Sequence, residues 1–219
     1  STAVFGITQA NDWGWSSGRT IGVFVAAVAL LAGFVVRELR TSDPLMSFSI
    51  FRIKTVAGAN IAGFILGTTL FSMFLMLSLY MQQVLDYSPL ESGFAYIAVA
   101  GSSIVWAMVA QQLVTKVGVK PVLVTGMSLL TIGLLYFTQV SVEGSYLGDL
   151  LPGFLVIAMG MAFSFVSISI AALAGVPAEE AGIASGLINT SQQIGGALGI
   201  AVLSSVAVAH TTDATKAGD

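Results

Sequence analysis

Charge is missing from most of this chain. Residues 55–85, 92–115, 121–142, 150–178 and 181–209 contain no Asp, Glu, Lys, Arg or His. The charges between them fall in short gaps: Asp86 and Glu91, Lys116 and Lys120, Glu143 and Asp149, Glu179 and Glu180. A helix in water needs a polar face, so charge should recur along it. Here it is expelled to the ends. About 20 apolar residues in a helix cross the roughly 30 Å hydrocarbon core of a bilayer. The pattern predicts a polytopic membrane protein.

Composition excludes the alternatives. Only 9% of residues are charged, too few to wet the surface of a soluble 219-residue domain. No basic stripe with interleaved aromatics occurs, so nucleic acid is not an expected partner. There is no cysteine, hence no disulfide framework. The opening STAVFGITQANDWGW has no basic segment before an apolar core and does not read as a signal peptide. Residues 1–9 are mildly apolar and read as the tail of a preceding span.

A further span covers residues 20–36, behind an aromatic, polar segment in which Trp13 and Trp15 suit the membrane interface. With the five later stretches this makes about six spans. All are expected to be helices, because hydrocarbon offers backbone groups no water and strands would show alternating segments of about ten residues. The fold class is therefore all-α, a transmembrane helical bundle. The chain divides into 1–19 (a span end plus an extracellular loop), 20–54 (a span and a cytoplasmic loop) and 55–219 (a transmembrane bundle). All five prolines, Pro44, Pro89, Pro121, Pro152 and Pro177, lie in gaps or near span ends. Arg37, Arg40, Arg52, Lys54, Lys116 and Lys120 fall on one side of the membrane; Arg19 and Lys216 fall on the other. Six against two puts 37–54 and 116–120 in the cytoplasm.

Two helices carry polar faces. At 100° per residue, Asn60, Phe64, Phe71, Phe74, Ser78 and Gln82 share one side with Gly63 and Gly67, opposite a mostly lipid-like side holding Ile65, Leu66, Thr69, Met73, Met76 and Tyr80. In the last stretch Gly182, Ser185, Gly186, Asn189, Gln192, Gln193 and Gly196 cluster, with Leu187, Ile188, Ile194, Leu198 and Val202 away from them. Amides in hydrocarbon would be unsatisfied, so they face protein or water. Two readings stand. The stripes are packing seams, as the small-xxx-small pairs Gly63/Gly67, Gly182/Gly186 and Gly195/Gly199 suggest. Alternatively, aromatic walls with a few amides form a site for bulky apolar or cationic molecules. The binding candidates are Asn60, Phe64, Phe71, Phe74, Ser78, Gln82, Asn189, Gln192 and Gln193; Trp106 is assigned to packing.

Catalysis is not expected. No acid or base lies within a span except near its ends, so no carboxylate dyad, metal cluster or Ser-His-Asp set can assemble at membrane depth. No catalytic residue, metal ligand or cofactor is assigned. His210, the only histidine, ends the last stretch and reads as interfacial. There is no P-loop and no TVGYG-like filter. A secondary transporter remains.

Several motifs support that. GWSSGRTIG at 14–22, Arg37-Glu38-Leu39-Arg40, Asp43-Pro44-Leu45-Met46 and Ile50-Phe51-Arg52 are followed by Gly58-Ala59-Asn60, by LYMQQVL at 79–85 and by YSPLESG at 87–93; SGLINTSQQIGGALGIA stands at 185–201. Together these resemble the fourteen-span drug:proton antiporters (EmrB/QacA type) of the major facilitator superfamily. The loop 111–120 resembles that superfamily's cytoplasmic motif G-x-L-x-D-R-x-G-R-K at Leu113, Lys116, Gly118 and Lys120, with Gln111 in place of the glycine and Thr115 in place of the aspartate. The resemblance implies that this chain holds the end of span seven and spans eight to thirteen. Span fourteen and an amino-terminal half carrying the membrane-embedded carboxylates would lie outside it. It also implies proton-driven efflux of drugs or other small organic molecules across the cytoplasmic (plasma) membrane, by rocking of two bundles about a midplane site. The implied partners are the bilayer, protons, the substrates and that other half. An exporter dedicated to one endogenous product, or a membrane interaction subunit without transport, are the alternatives.

Overall fold

The computed structural model describes residues 2–14, 16–41, 48–140 and 144–217. Trp15, the Asp43–Met46 motif and Glu143 lie outside the described residues, as does the side chain of His210. The described residues form eight α-helices and no strand: α1 (Thr2–Trp13), α2 (Gly18–Arg40), α3 (Lys54–Gln83), α4 (Pro89–Ala95), α5 (Ile97–Val117), α6 (Val119–Phe137), α7 (Leu151–Leu173) and α8 (Ala181–Ala217). Among the described residues, five stretches are long and apolar enough to cross a membrane: α2, α3, α4 with α5, α6, and α7 with the turn before it. The sixth expected span falls on α8. Its Gly, Ser, Asn and Gln content dilutes its hydropathy, and its side chains are described only to Ala207.

The ends follow local chemistry. Ser17 caps α2 by accepting from the Thr20 amide. Ser88 and Glu91 form a reciprocal capping box with Pro89 at the first turn of α4. The segment expected as a gap at 86–91 thus already begins a helix. That helix breaks at Tyr96 and resumes as α5. The loop expected at 111–120 is mostly helical. A single residue, Gly118, separates α5 from α6 at φ +88°, a conformation that glycine adopts without steric cost. Before α7 a π-helical turn spans Tyr146–Leu150, capped by Ser145.

Two tight groups make the bundle. In one, α3 lies along α8; in the other, α7 packs on α5 and α6; α3 and α7 join them. Glycines set the close contacts. A Cβ on Gly67 would run into the Gln192 carbonyl, and one on Gly195 into the Phe64 carbonyl. Between α6 and α7, Gly126 meets Ser164 and Gly160 meets Leu130. The pairs Gly63/Gly67 and Gly195/Gly199 are therefore packing seams. Gly182 and Gly186 have nothing within 4 Å and form no such seam among the described residues. The α1–α2 hairpin touches the bundle through α1 on α8, and most of α2 is exposed.

One end of the bundle is tied by tyrosines. The Tyr96 hydroxyl donates to the Phe74 carbonyl (3.0 Å), Tyr146 to Ala95 (2.9 Å) and Tyr136 to Gly148 (3.0 Å). Phe154, fully buried, sits among the rings of Tyr96, Phe137 and Tyr146. At the opposite end the Thr55 hydroxyl donates to the Ala174 carbonyl, and Ile50, Val56 and Ala184 form a small apolar cluster.

Candidate functional site

The polar face of α3 is spent largely on packing. Asn60 is 7% exposed; its Nδ2 donates to the Val56 carbonyl (2.9 Å) and its Oδ1 accepts from the Ser191 hydroxyl of α8 (2.8 Å). An interhelical bond of this kind contributes about 0.6 kcal/mol. Phe74 stacks edge-on to Tyr96 at 4.9 Å, and Ser78 shares a hydrogen bond with the Tyr96 hydroxyl (3.1 Å). Gln192 presses its backbone on Gly67 and its side chain toward Gly63. Gln82 is exposed at the end of α3, and Phe64 borders hollows on both sides of its helix turn. Trp106, assigned to packing, stands edge-on to Phe163.

The amides of α8 are placed differently. Asn189 and Gln193 are exposed, on the same stripe as the exposed Gly182, Ser185 and Gly186. The stripe continues to Gly196, over which the Phe71 ring lies; a Cβ there would be 2.7 Å from the ring. Phe71 itself is 45% exposed. The structure thus brings Asn189, Gln193 and Phe71 to one open surface, and takes Asn60, Phe74, Ser78 and Gln192 into seams.

The side of α3 expected to face lipid is exposed at Ile65 (49%) but not along its whole length. Leu66 is 1% exposed, and Thr69, Met73, Met76 and Tyr80 line a cavity of about 780 Å³ between α3, α6 and α8. Leu198 and Val202, expected away from the functional side, line the same cavity, and Leu187 packs on the Ile50 cluster. Helical period says which residues share a face; it does not say which neighbour that face meets. Glu38, read as a loop charge, is buried in the last turns of α2 at 6% exposure. Among the described residues no His, Cys, Asp or Glu cluster is arranged to hold a metal.

Residues 2–200 match the model of the Major Facilitator Superfamily. The chain belongs to the major facilitator superfamily. Over 200 residues it is 34% identical to the tetracenomycin C resistance and export protein of Streptomyces glaucescens, covering 91% of this chain and 37% of that one. It is 30% identical over 203 residues to the lincomycin resistance protein of Streptomyces lincolnensis (93% and 42%). It is 31% identical over 207 residues to a multidrug resistance protein B homolog of Mycobacterium tuberculosis (93% and 38%). The chain spans about two-fifths of the length of these curated relatives. A multi-pass, all-α membrane protein of this superfamily, with drug-resistance and export proteins among its relatives, accounts for the charge-free apolar stretches.

Proposed function

We propose that this chain is part of a proton-driven exporter of drugs or other small organic molecules, of the fourteen-span antiporter subfamily, in the cytoplasmic membrane. The observation that carries this reading is the exposed stripe Asn189–Gln193 on a helix with no Asp, Glu, Lys or Arg from Ala181 to Ala209. Amides facing hydrocarbon would be unsatisfied, so this stripe borders water or protein. Small residues along it leave room beside the Phe71 ring. Amides next to an aromatic edge suit organic molecules with apolar bodies. The relatives named for single antibiotics support the narrower reading of a dedicated exporter, and breadth of substrate separates the two. The proton-carrying carboxylates and the second bundle would come from the remainder of the polypeptide.

In the protein made from its complete reading frame, Asn189→Ala, Gln193→Ala and Phe71→Ala are expected to change which compounds are exported, at near-normal expression. A hydrogen bond worth about 1 kcal/mol corresponds to ~5-fold in affinity. Ile132→Ala and Val105→Ala, both 56% exposed elsewhere on the bundle, are the controls. Resistance across a substrate panel reads the result. All five variants scaling together with protein level would leave packing as the stripe's only role.

The same reading places the basic ends of α2, α3, α5 and α6 in the cytoplasm. Cysteines at Leu90 and Leu147, exposed beside the caps rather than replacing them, are expected to label with an impermeant maleimide in intact cells. Cysteines at Thr115 and Val117 should label only after permeabilisation. The opposite pattern would invert the topology.

A further inference from the structure

The short helix α4 lies between two irregularities of the backbone. Before it, Asp86 takes φ +55° and is the one non-glycine residue at positive φ among the described residues; aspartate enters that region more readily than most side chains. After it, Tyr96 holds ψ −9°, away from the helical value of about −42°, and the span resumes as α5. Between the two, Pro89–Ala95 is closed on itself. Ser88 and Glu91 cap its start reciprocally, and the Tyr96 amide turns back to the Gly93 and Phe94 carbonyls. Leu90 and Phe94 are exposed, whereas Ser92 and Ala95 are buried. Ala95 joins the apolar cluster built around Phe154 and Met81.

We propose that α4 is a lid that swings as a unit about Asp86 and Tyr96, and that the Tyr146 hydroxyl is its latch. The tyrosine bonds at this end divide into pivot and latch. The Tyr96 hydroxyl donates to the Phe74 carbonyl (3.0 Å) and shares a hydrogen bond with Ser78 (3.1 Å), so it ties the hinge residue itself to α3. These bonds persist while α4 turns. The Tyr146 hydroxyl instead donates to the carbonyl of Ala95, the last residue of α4 (2.9 Å). It joins the lid to the π-helical turn Tyr146–Leu150 before α7, and it must break for the lid to rise. Opening is cheap otherwise. The side chains that α4 buries are Ser92 and Ala95, so little apolar surface is exposed. The Ser92 hydroxyl, at 3% exposure, has no hydrogen-bond partner among the described residues. Burial without a partner disfavours the closed position, and water relieves it in the raised one. One latch bond and one unsatisfied hydroxyl are contributions of the same order, which keeps the two positions close in free energy. Segments with so few buried apolar contacts are the ones that open locally. The lid is independent of the transport reading.

The test is thiol accessibility in native membranes, with the protein made from its complete reading frame in a cysteine-free background. Ser92→Cys exchanges oxygen for sulfur under the lid, and Leu90→Cys places a thiol on its exposed side. With a small methanethiosulfonate reagent, Leu90→Cys is expected to react fast and Ser92→Cys slowly. Tyr146→Phe removes the latch hydroxyl and keeps the ring beside Phe154. It should speed the reaction of Ser92→Cys about 5-fold, the factor that one such hydrogen bond supplies, and leave Leu90→Cys unchanged. Tyr136→Phe removes a bond of the same kind and length class at this end, to Gly148 outside α4 (3.0 Å), and should change neither rate. Equal rates at Ser92→Cys with and without the Tyr146 hydroxyl, including no reaction in either, would overturn the proposal. So would an equal acceleration by Tyr136→Phe. So would acceleration by Tyr146→Phe at Ser167→Cys, the same exchange at a fully buried position of α7, because the whole bundle rather than the lid would then have loosened.

Discussion

Alanine at Gly195 is expected to pull α8 off α3 and to destabilise the bundle by at least about 1–3 kcal/mol, the cost of overpacking a filled interface. The added Cβ would meet the Phe64 carbonyl, and no rotamer change relieves a clash with backbone. Gly67→Ala should behave alike, because its Cβ would meet the Gln192 carbonyl. Gly182→Ala, on the same helix as Gly195 but with nothing within 4 Å, should stay within about ±0.5 kcal/mol. Reversible unfolding in a detergent titration reads all three. A neutral Gly195→Ala would mean that the α3–α8 contact is looser than this geometry.

Phe154→Ala is expected to cost more, about 3–5 kcal/mol, as large-to-small changes do where the surroundings cannot collapse. Its ring is fully buried, with Tyr96, Phe137 and Tyr146 at 5.3, 5.5 and 6.4 Å. Two of those three tyrosine and phenylalanine neighbours also hold hydrogen bonds to adjacent elements, through the Tyr96 and Tyr146 hydroxyls. Losing the ring therefore loosens those ties as well. Phe165→Ala, the same substitution on the same helix at a residue 50% exposed, is the comparison and should change little. The same unfolding titration decides it; equal losses for the two would remove burial as the cause.

The helices were legible because hydrocarbon makes charge placement a strict signal. The stretches at 55–85, 121–142 and 150–178 contain α3, α6 and α7 within a few residues at each end. The breaks were not. Tyr96 interrupts a helix with no Pro or Gly at that position, and the π-helical turn before α7 has no composition of its own. Glycine seams were readable where the spacing was matched by a partner, as at Gly63/Gly67. At Gly182/Gly186 no partner lies within 4 Å among the described residues, since spacing alone cannot supply one. For the candidate site the limit was similar. Asn60 and Asn189 look alike in sequence, each an amide on a charge-free helix. One is bonded to Ser191 inside a seam, and the other is open. Which amide is spent depends on the rotation of α3 against α8, and no periodicity in either helix encodes that.

Because α3 and α8 meet backbone to backbone, little side-chain material between them can yield, and the pair acts as a single strut. Its flanks differ: a groove lined without charge or amide on one, an amide-bearing strip on the other. A load on either flank therefore bears on the same closely packed pair. Linkage then makes the effect mutual, so whatever tightens one flank shifts the free energy of occupying the other by an equal amount.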